Sequence, residues 1–79
     1  MEVTPEMERI TRILAEAAND WNITLGELIG SGRKREYVEA RRYAAQQLRS
    51  MGLGLKQVGH HLGGRDHATV ANLLCRRER

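Results

Sequence analysis

Between Leu62 and Val70 the chain reads LGGRDHATV: two glycines, an arginine, an aspartate, a histidine and a threonine, closed at each end by an apolar residue. These side chains match the edges of DNA bases. An arginine fork pairs with guanine, an aspartate accepts from a cytosine amino group, and the methyl of Ala68 or Thr69 packs on a thymine methyl. Each also has a plainer use. Asp66 is a natural helix N-cap, Arg65 a solvated cation, His67 a cover for apolar surface, and Thr69 a partner for a nearby backbone group. A second concentration, RKR at Arg33 to Arg35, stands just before a helical pattern. Cations there are opposed by the helix macrodipole. Helix stability therefore does not explain the cluster, whereas phosphates or a narrow minor groove would.

Such groups act only if helices position them, and helix is the prevailing signal. The chain has no Phe, one Pro, and apolar residues spaced by three and four. Thr4 and Pro5 open a first helix with Met7, Ile10, Leu14 and Ala17 on one face, broken at NDWN. Thr24 followed by Glu27 is a capping box for a short second helix that ends in GSG at Gly30 to Gly32. A third helix follows RKR, with Tyr37, Ala40, Ala44, Leu48 and Met51 as its buried stripe and Arg42, Gln46 and Arg49 opposite. GLG stops it. The fourth helix, from Leu55 to about Leu62, buries Leu55, Val58 and Leu62. Gly63 and Gly64 then allow a tight turn with positive φ, and Asp66 caps a fifth helix that turns Val70, Leu73 and Leu74 inward. Two short helices joined by a glycine-containing turn form the helix-turn-helix pattern, here at about residues 53–77, whose second helix enters the major groove tip first. The expected fold is a single all-α domain over residues 1–79, a compact bundle of about five helices.

Composition supports a polyanionic partner. Residues 1–28 carry six acids against two bases, and residues 29–79 carry eleven bases against four acids, so the net charge of +3 hides a strongly basic C-terminal two thirds. A single cysteine, Cys75, excludes an internal disulfide, and its place in an apolar pattern suits a reduced protein. The N-terminus lacks a secretory h-region, and no apolar run approaches the roughly 20 residues that span a bilayer. The expectation is a cytoplasmic protein, in the bacterial cytosol or nucleoid, with no membrane partner. His60 and His61 are adjacent and point about 100° apart on a helix, and Cys75 completes no recognised metal spacing. No paired carboxylates or nucleophile arrangement is present, so neither a metal nor an enzyme is expected. Three aromatics, Trp21, Tyr37 and Tyr43, are too few to line a single-strand groove and read as core or core-edge residues.

GGRDHATV, together with the upstream GLGLKQVGHHL, resembles the signature of the C-terminal, origin-box-binding domain of the bacterial replication initiator DnaA. ITRILAEAANDWNITLGELIGSGRKREYVEARRYAAQQL is similar to the earlier part of that domain, and the resemblance covers about residues 10–76. It implies a Trp repressor-like helical domain that binds double-stranded DNA as a monomer at a DnaA-box-like site. By the family pattern Arg65, Asp66, His67, Ala68 and Thr69 face bases in the major groove. Arg33 enters the adjacent minor groove, and Lys34, Arg35, Arg42, Arg49 and Lys56 meet phosphates. Where the family often carries Thr or Ser, this chain has Ala68, which leaves only a methyl contact. The link from Met51 to Leu55 is one residue shorter than in many relatives. No GxxxxGK[ST] string occurs, so no nucleotide cofactor is expected. With its own Met1, the chain reads as a standalone DnaA-like protein in replication control or transcription regulation. The rival reading is a small helical adaptor that acts on the initiator or another partner.

Overall fold

The computed structural model describes residues 4–75. Five helices follow one another: α1 Pro5–Asp20, α2 Leu25–Ile29, α3 Arg35–Ser50, α4 Leu55–His61 and α5 His67–Cys75. There is no strand among the described residues. The expected all-α, five-helix architecture is therefore the observed one. The expected ends of the domain and of the helix-turn-helix, at residues 1–3 and 76–79, lie outside the described residues.

Local chemistry sets the boundaries. At α1 the Thr4 hydroxyl accepts from the Met7 amide at 3.1 Å, and Pro5 occupies the first turn, where no amide donor is needed. Asn22 ends that helix with φ of 58°, so the Ile23 amide can donate back to Ala18 at 2.9 Å. The capping box of α2 is closed on both sides: the Glu27 amide donates to Thr24 Oγ1 at 3.0 Å, and the Thr24 amide donates to Glu27 Oε1 at 2.8 Å. Gln57 serves α4 similarly, its Oε1 accepting from the Gly54 amide at 2.9 Å.

α3 is the axis of the bundle. α1 and α2 pack on it and on each other, and so do α4 and α5. Its Ala40, Ala44, Ala45 and Leu48 are fully buried, and the core closes with Ile10, Ala17, Leu28, Val58, Leu62 and Val70. Small residues along α3 let the neighbouring helices approach closely. Leu53, in the link that the sequence presents as a stop, is buried too and seals the end of the core. Burying a leucine or valine side chain contributes about 1.5–3 kcal/mol, so the link carries part of the stability.

Three details differ from the sequence expectation. Met7 is 47% exposed, because the buried face of α1 begins only at Ile10. Arg35 lies inside α3, not before it. Cys75, at the last turn of α5, is exposed instead of packed with the apolar pattern.

Candidate nucleic-acid interface

The turn between α4 and α5 is held by backbone. Gly63 and Gly64 adopt φ of 93° and 81°, a region closed to most L residues. That conformation lets the Gly64 and Arg65 amides donate to the Gly59 carbonyl at 3.0 and 2.9 Å. The chain can turn this sharply because Gly59 has no side chain: a Cβ there would stand 2.0 Å from the Arg65 carbonyl oxygen. Gly63 is equally constrained, since a Cβ would stand 2.1 Å from the carbonyl oxygen of Ile29, at the end of α2. The turn thus nests between α4 and α2.

Asp66 opens α5. Its Oδ1 accepts from the Thr69 amide at 2.8 Å, and this bond, more than any other influence, holds its carboxyl below the ordinary range. His67, Ala68 and Thr69 follow on the outer side and are exposed, while Val70 anchors the helix in the core. Lys56, Gln57, His60 and His61 of α4 form a concave surface with Asp66 and His67. Lys56 therefore stands beside the tip of α5.

On the other flank of that tip lies the loop after α2. Arg33 and Lys34 are exposed, and Arg33 lines a second concavity together with Arg65 and Thr69. The fold thus brings together two segments more than thirty residues apart in sequence. Lys34 precedes α3 without a capping side chain, and its ammonium lies 5.7 Å from the centroid of the Tyr37 ring. The Tyr37 hydroxyl donates to Glu27 Oε2 at 2.7 Å. The Thr24 amide and then this hydroxyl lower the Glu27 carboxyl, and the same contact raises the Tyr37 hydroxyl.

Arg35, Arg42 and Arg49 recur every seven residues, which places them on one side of α3. Arg35 pairs with Glu39 at 3.2 Å, and Arg49 donates to the Leu53 carbonyl at 2.8 Å, fastening the end of α3 to its link. Arg42 is half-buried in a hollow with Trp21, Glu39, Tyr43 and Gln46. The Trp21 Nε1 donates to Glu39, and this bond leads the Arg35 contact in lowering the Glu39 carboxyl. This ridge is separate from the concavity that Arg33 and Thr69 share.

Arg65 is placed differently from its exposed neighbours. Its Nη1 donates to the carbonyls of Leu62 and Ile29, and its Nη2 donates to that of Gly30. Burial pushes its guanidinium below the ordinary value. Arg41 does similar work from α3. Only 5% exposed, it donates to the carbonyls of Leu28 at 2.6 Å, Gly32 at 2.7 Å, and Glu27 and Gly30 at 2.9 Å each. Burial first, and then the charge of Arg65, lowers its guanidinium.

The sequence reading passed over Arg41 and Gly59. Arg41 had a signal in its spacing, since positions 37, 41, 44 and 48 share one helical face. Gly59 had one in its setting, since a lone glycine inside a helical pattern has a packing reason. Among the described residues no group of His, Cys, Asp and Glu is arranged to hold a metal ion, and no helix is long and apolar enough to cross a membrane.

Comparison with known proteins gives this geometry a family. Residues 10–76 match the family model described as bacterial DnaA protein helix-turn-helix. The chromosomal replication initiator protein DnaA of Thermomicrobium roseum is 41% identical over 70 residues, which is 87% of this chain and 14% of the relative. The protein of the same name from Corynebacterium jeikeium is 37% identical over 71 residues, 89% of this chain and 11% of the relative. That from Cutibacterium acnes is 39% identical over 69 residues, 86% of this chain and 13% of the relative. The chain thus spans about one seventh or less of these three relatives. No solved structure matches at a significant level. With its glycine-locked turn and most of its described length inside the match, the chain belongs to the bacterial DnaA helix-turn-helix family.

Proposed function

We propose that this protein binds double-stranded DNA in a sequence-dependent way. The first turn of α5 lies in the major groove, where Asp66, His67, Ala68 and Thr69 face base edges. Arg33 enters the adjacent minor groove. Lys34, Arg35, Arg42, Arg49 and Lys56 meet phosphates, which position the domain without reading sequence. The observation that carries this reading is one concavity lined by both Arg33 and Thr69, with the exposed edge of α5 at its rim. An exposed polar tip flanked by cations suits a duplex, in which groove floor and phosphate rails are recognised together. The relatives are named chromosomal replication initiators, and control of replication initiation is the role we assign.

Fluorescence-anisotropy titration tests it, using an initiator-type box duplex and a scrambled duplex over a range of salt. The box duplex should bind more tightly, and log affinity should fall with log salt at roughly 0.9 per phosphate neutralised. Equal affinity for both duplexes, together with a flat salt response, would favour an adaptor that acts on a protein partner. Selection from a random duplex pool separates the roles: an initiator-type box supports replication control, and an unrelated site supports transcription regulation.

A further inference from the structure

In the proposed reading, two separate segments must meet one duplex at once, the loop that carries Arg33 and the tip of α5. Neither is held by packing alone, since the loop is exposed from Ser31 to Lys34 and the tip from Asp66 to Thr69. A hydrogen-bonded bridge joins them. From the tip side, Arg65 reaches the carbonyls of Ile29 and Gly30, at the start of the loop, while also holding the Leu62 carbonyl of its own turn. From α3, Arg41 holds Gly30 and, further along the loop, Gly32, the residue before Arg33. The close seat of Gly63 on the Ile29 carbonyl leaves no slack between turn and loop.

We infer that Arg65 is a positioning residue. By gripping the carbonyls of Ile29 and Gly30 it fixes the separation between Arg33 and the His67 to Thr69 edge, so that minor-groove and major-groove contacts form together. This revises the expectation that Arg65 itself reads a base. Both terminal nitrogens of its guanidinium already donate to main-chain carbonyls. Reading guanine would require it to give up those bonds and leave the carbonyls short of donors. A rigid bridge instead makes the second contact intramolecular once the first has formed, which raises affinity without a new contact.

The inference rests on the duplex-binding reading, and one experiment separates their failures. Affinities are measured for the parent, Arg33→Ala, Arg65→Met and the double variant on the box duplex, on its single-base-pair substitutions and on a scrambled duplex. In the parent, Arg33→Ala should cost about tenfold, a typical price for one base-reading contact. In the Arg65→Met background the same change should cost under about threefold, a non-additivity expected only of coupled sites. Discrimination should weaken across several base pairs. Losses that simply multiply, or relaxation confined to one base pair, overturn the inference and make Arg65 a direct reader. A parent that does not distinguish box from scrambled duplex removes the underlying reading, and the inference falls with it. Arg65→Lys, which keeps a cation but not the planar fork, should behave like Arg65→Met; full rescue by lysine also overturns the inference. In the free proteins, Arg65→Met should speed amide exchange at Gly32 to Lys34 while α3 keeps its protection. Unchanged exchange in the loop counts against the bridge.

Discussion

Arg41 and Arg65, one on α3 and the other in the turn before α5, donate to the same carbonyl oxygen, that of Gly30. Two cations converge on the C-terminal end of a five-residue helix, where the last carbonyls lack partners within the helix. Each guanidinium supplies donors in a fixed fork, and the partial negative charge of the helix end offsets their mutual repulsion. Arg41→Met should therefore strip donors from the carbonyls of Glu27, Leu28, Gly30 and Gly32 at once. The expected cost is about 2–4 kcal/mol in a urea unfolding titration. Arg41→Lys should recover little of it, because one ammonium cannot reach four carbonyls spread over six residues. A loss under about 1 kcal/mol for Arg41→Met would make the cluster incidental.

The glycines of this fold are not equivalent. Gly59→Ala places a methyl against the Arg65 carbonyl, so the turn must move, and a loss of about 3 kcal/mol is expected. Gly26→Ala meets nothing closer than the Thr24 hydroxyl at 3.8 Å and should gain up to about 1 kcal/mol from helix propensity. Thermal melts of the two variants should shift in opposite directions; parallel shifts would contradict the packing described.

Arg35 separates binding from folding. Its pair with Glu39 is exposed, and such pairs contribute little to stability. Arg35→Ala should leave the melting temperature nearly unchanged, weaken all duplexes alike, and lower the salt slope by about one. A loss confined to the box duplex would reassign Arg35 from phosphate to base contact.

Ala68 is exposed on the outer edge of α5, so its side chain can change without repacking. In the proposed duplex complex, Ala68→Thr would add a hydroxyl donor and acceptor beside the base edges. Selection from a duplex pool should then return a preference altered at one base pair, with discrimination there changed by about 1–3 kcal/mol. An unaltered preference would place Ala68 away from the groove floor.

Acid should loosen the fold through three carboxyls. Those of Glu27, Glu39 and Asp66 lie below their ordinary values of 4.5, 4.5 and 3.8, mainly because they accept from the Thr24 amide, the Trp21 ring and the Thr69 amide respectively. Groups lowered in this way favour the folded chain above their ordinary values. That contribution is lost as pH falls through the folded values. The melting temperature should hold near neutrality and drop below about pH 4.5, less steeply in Glu27→Gln. An unchanged slope in that variant would show that Glu27 contributes nothing to the acid response.

Much of this was legible because the signals are local. Thr4 with Pro5, Thr24 with Glu27, and Asp66 three residues before Thr69 each announce a helix start within one turn of chain. Gly63 and Gly64 announce the corner, and GGRDHATV carried the family. What escaped depends on residues distant in sequence. Nothing around Arg65 reveals that its partners are Ile29 and Gly30, because those carbonyls reach it only once α2 and the turn are docked on α3. Arg41 and Arg42 look alike in the sequence, yet one is sealed in the fold and the other half-open; only the helical phase against α2 separates them. Leu53 was read as part of a stop because glycines flank it.

The division of labour around Gly59 has an evolutionary consequence. The corner is shaped by main-chain atoms, an absent side chain and the guanidinium of Arg65, whereas Ala68 stands exposed on the outer edge of α5. If the duplex-binding reading holds, a change at Ala68 alters target preference on an unchanged chassis, and a new site is acquired without passing through an unfolded ancestor.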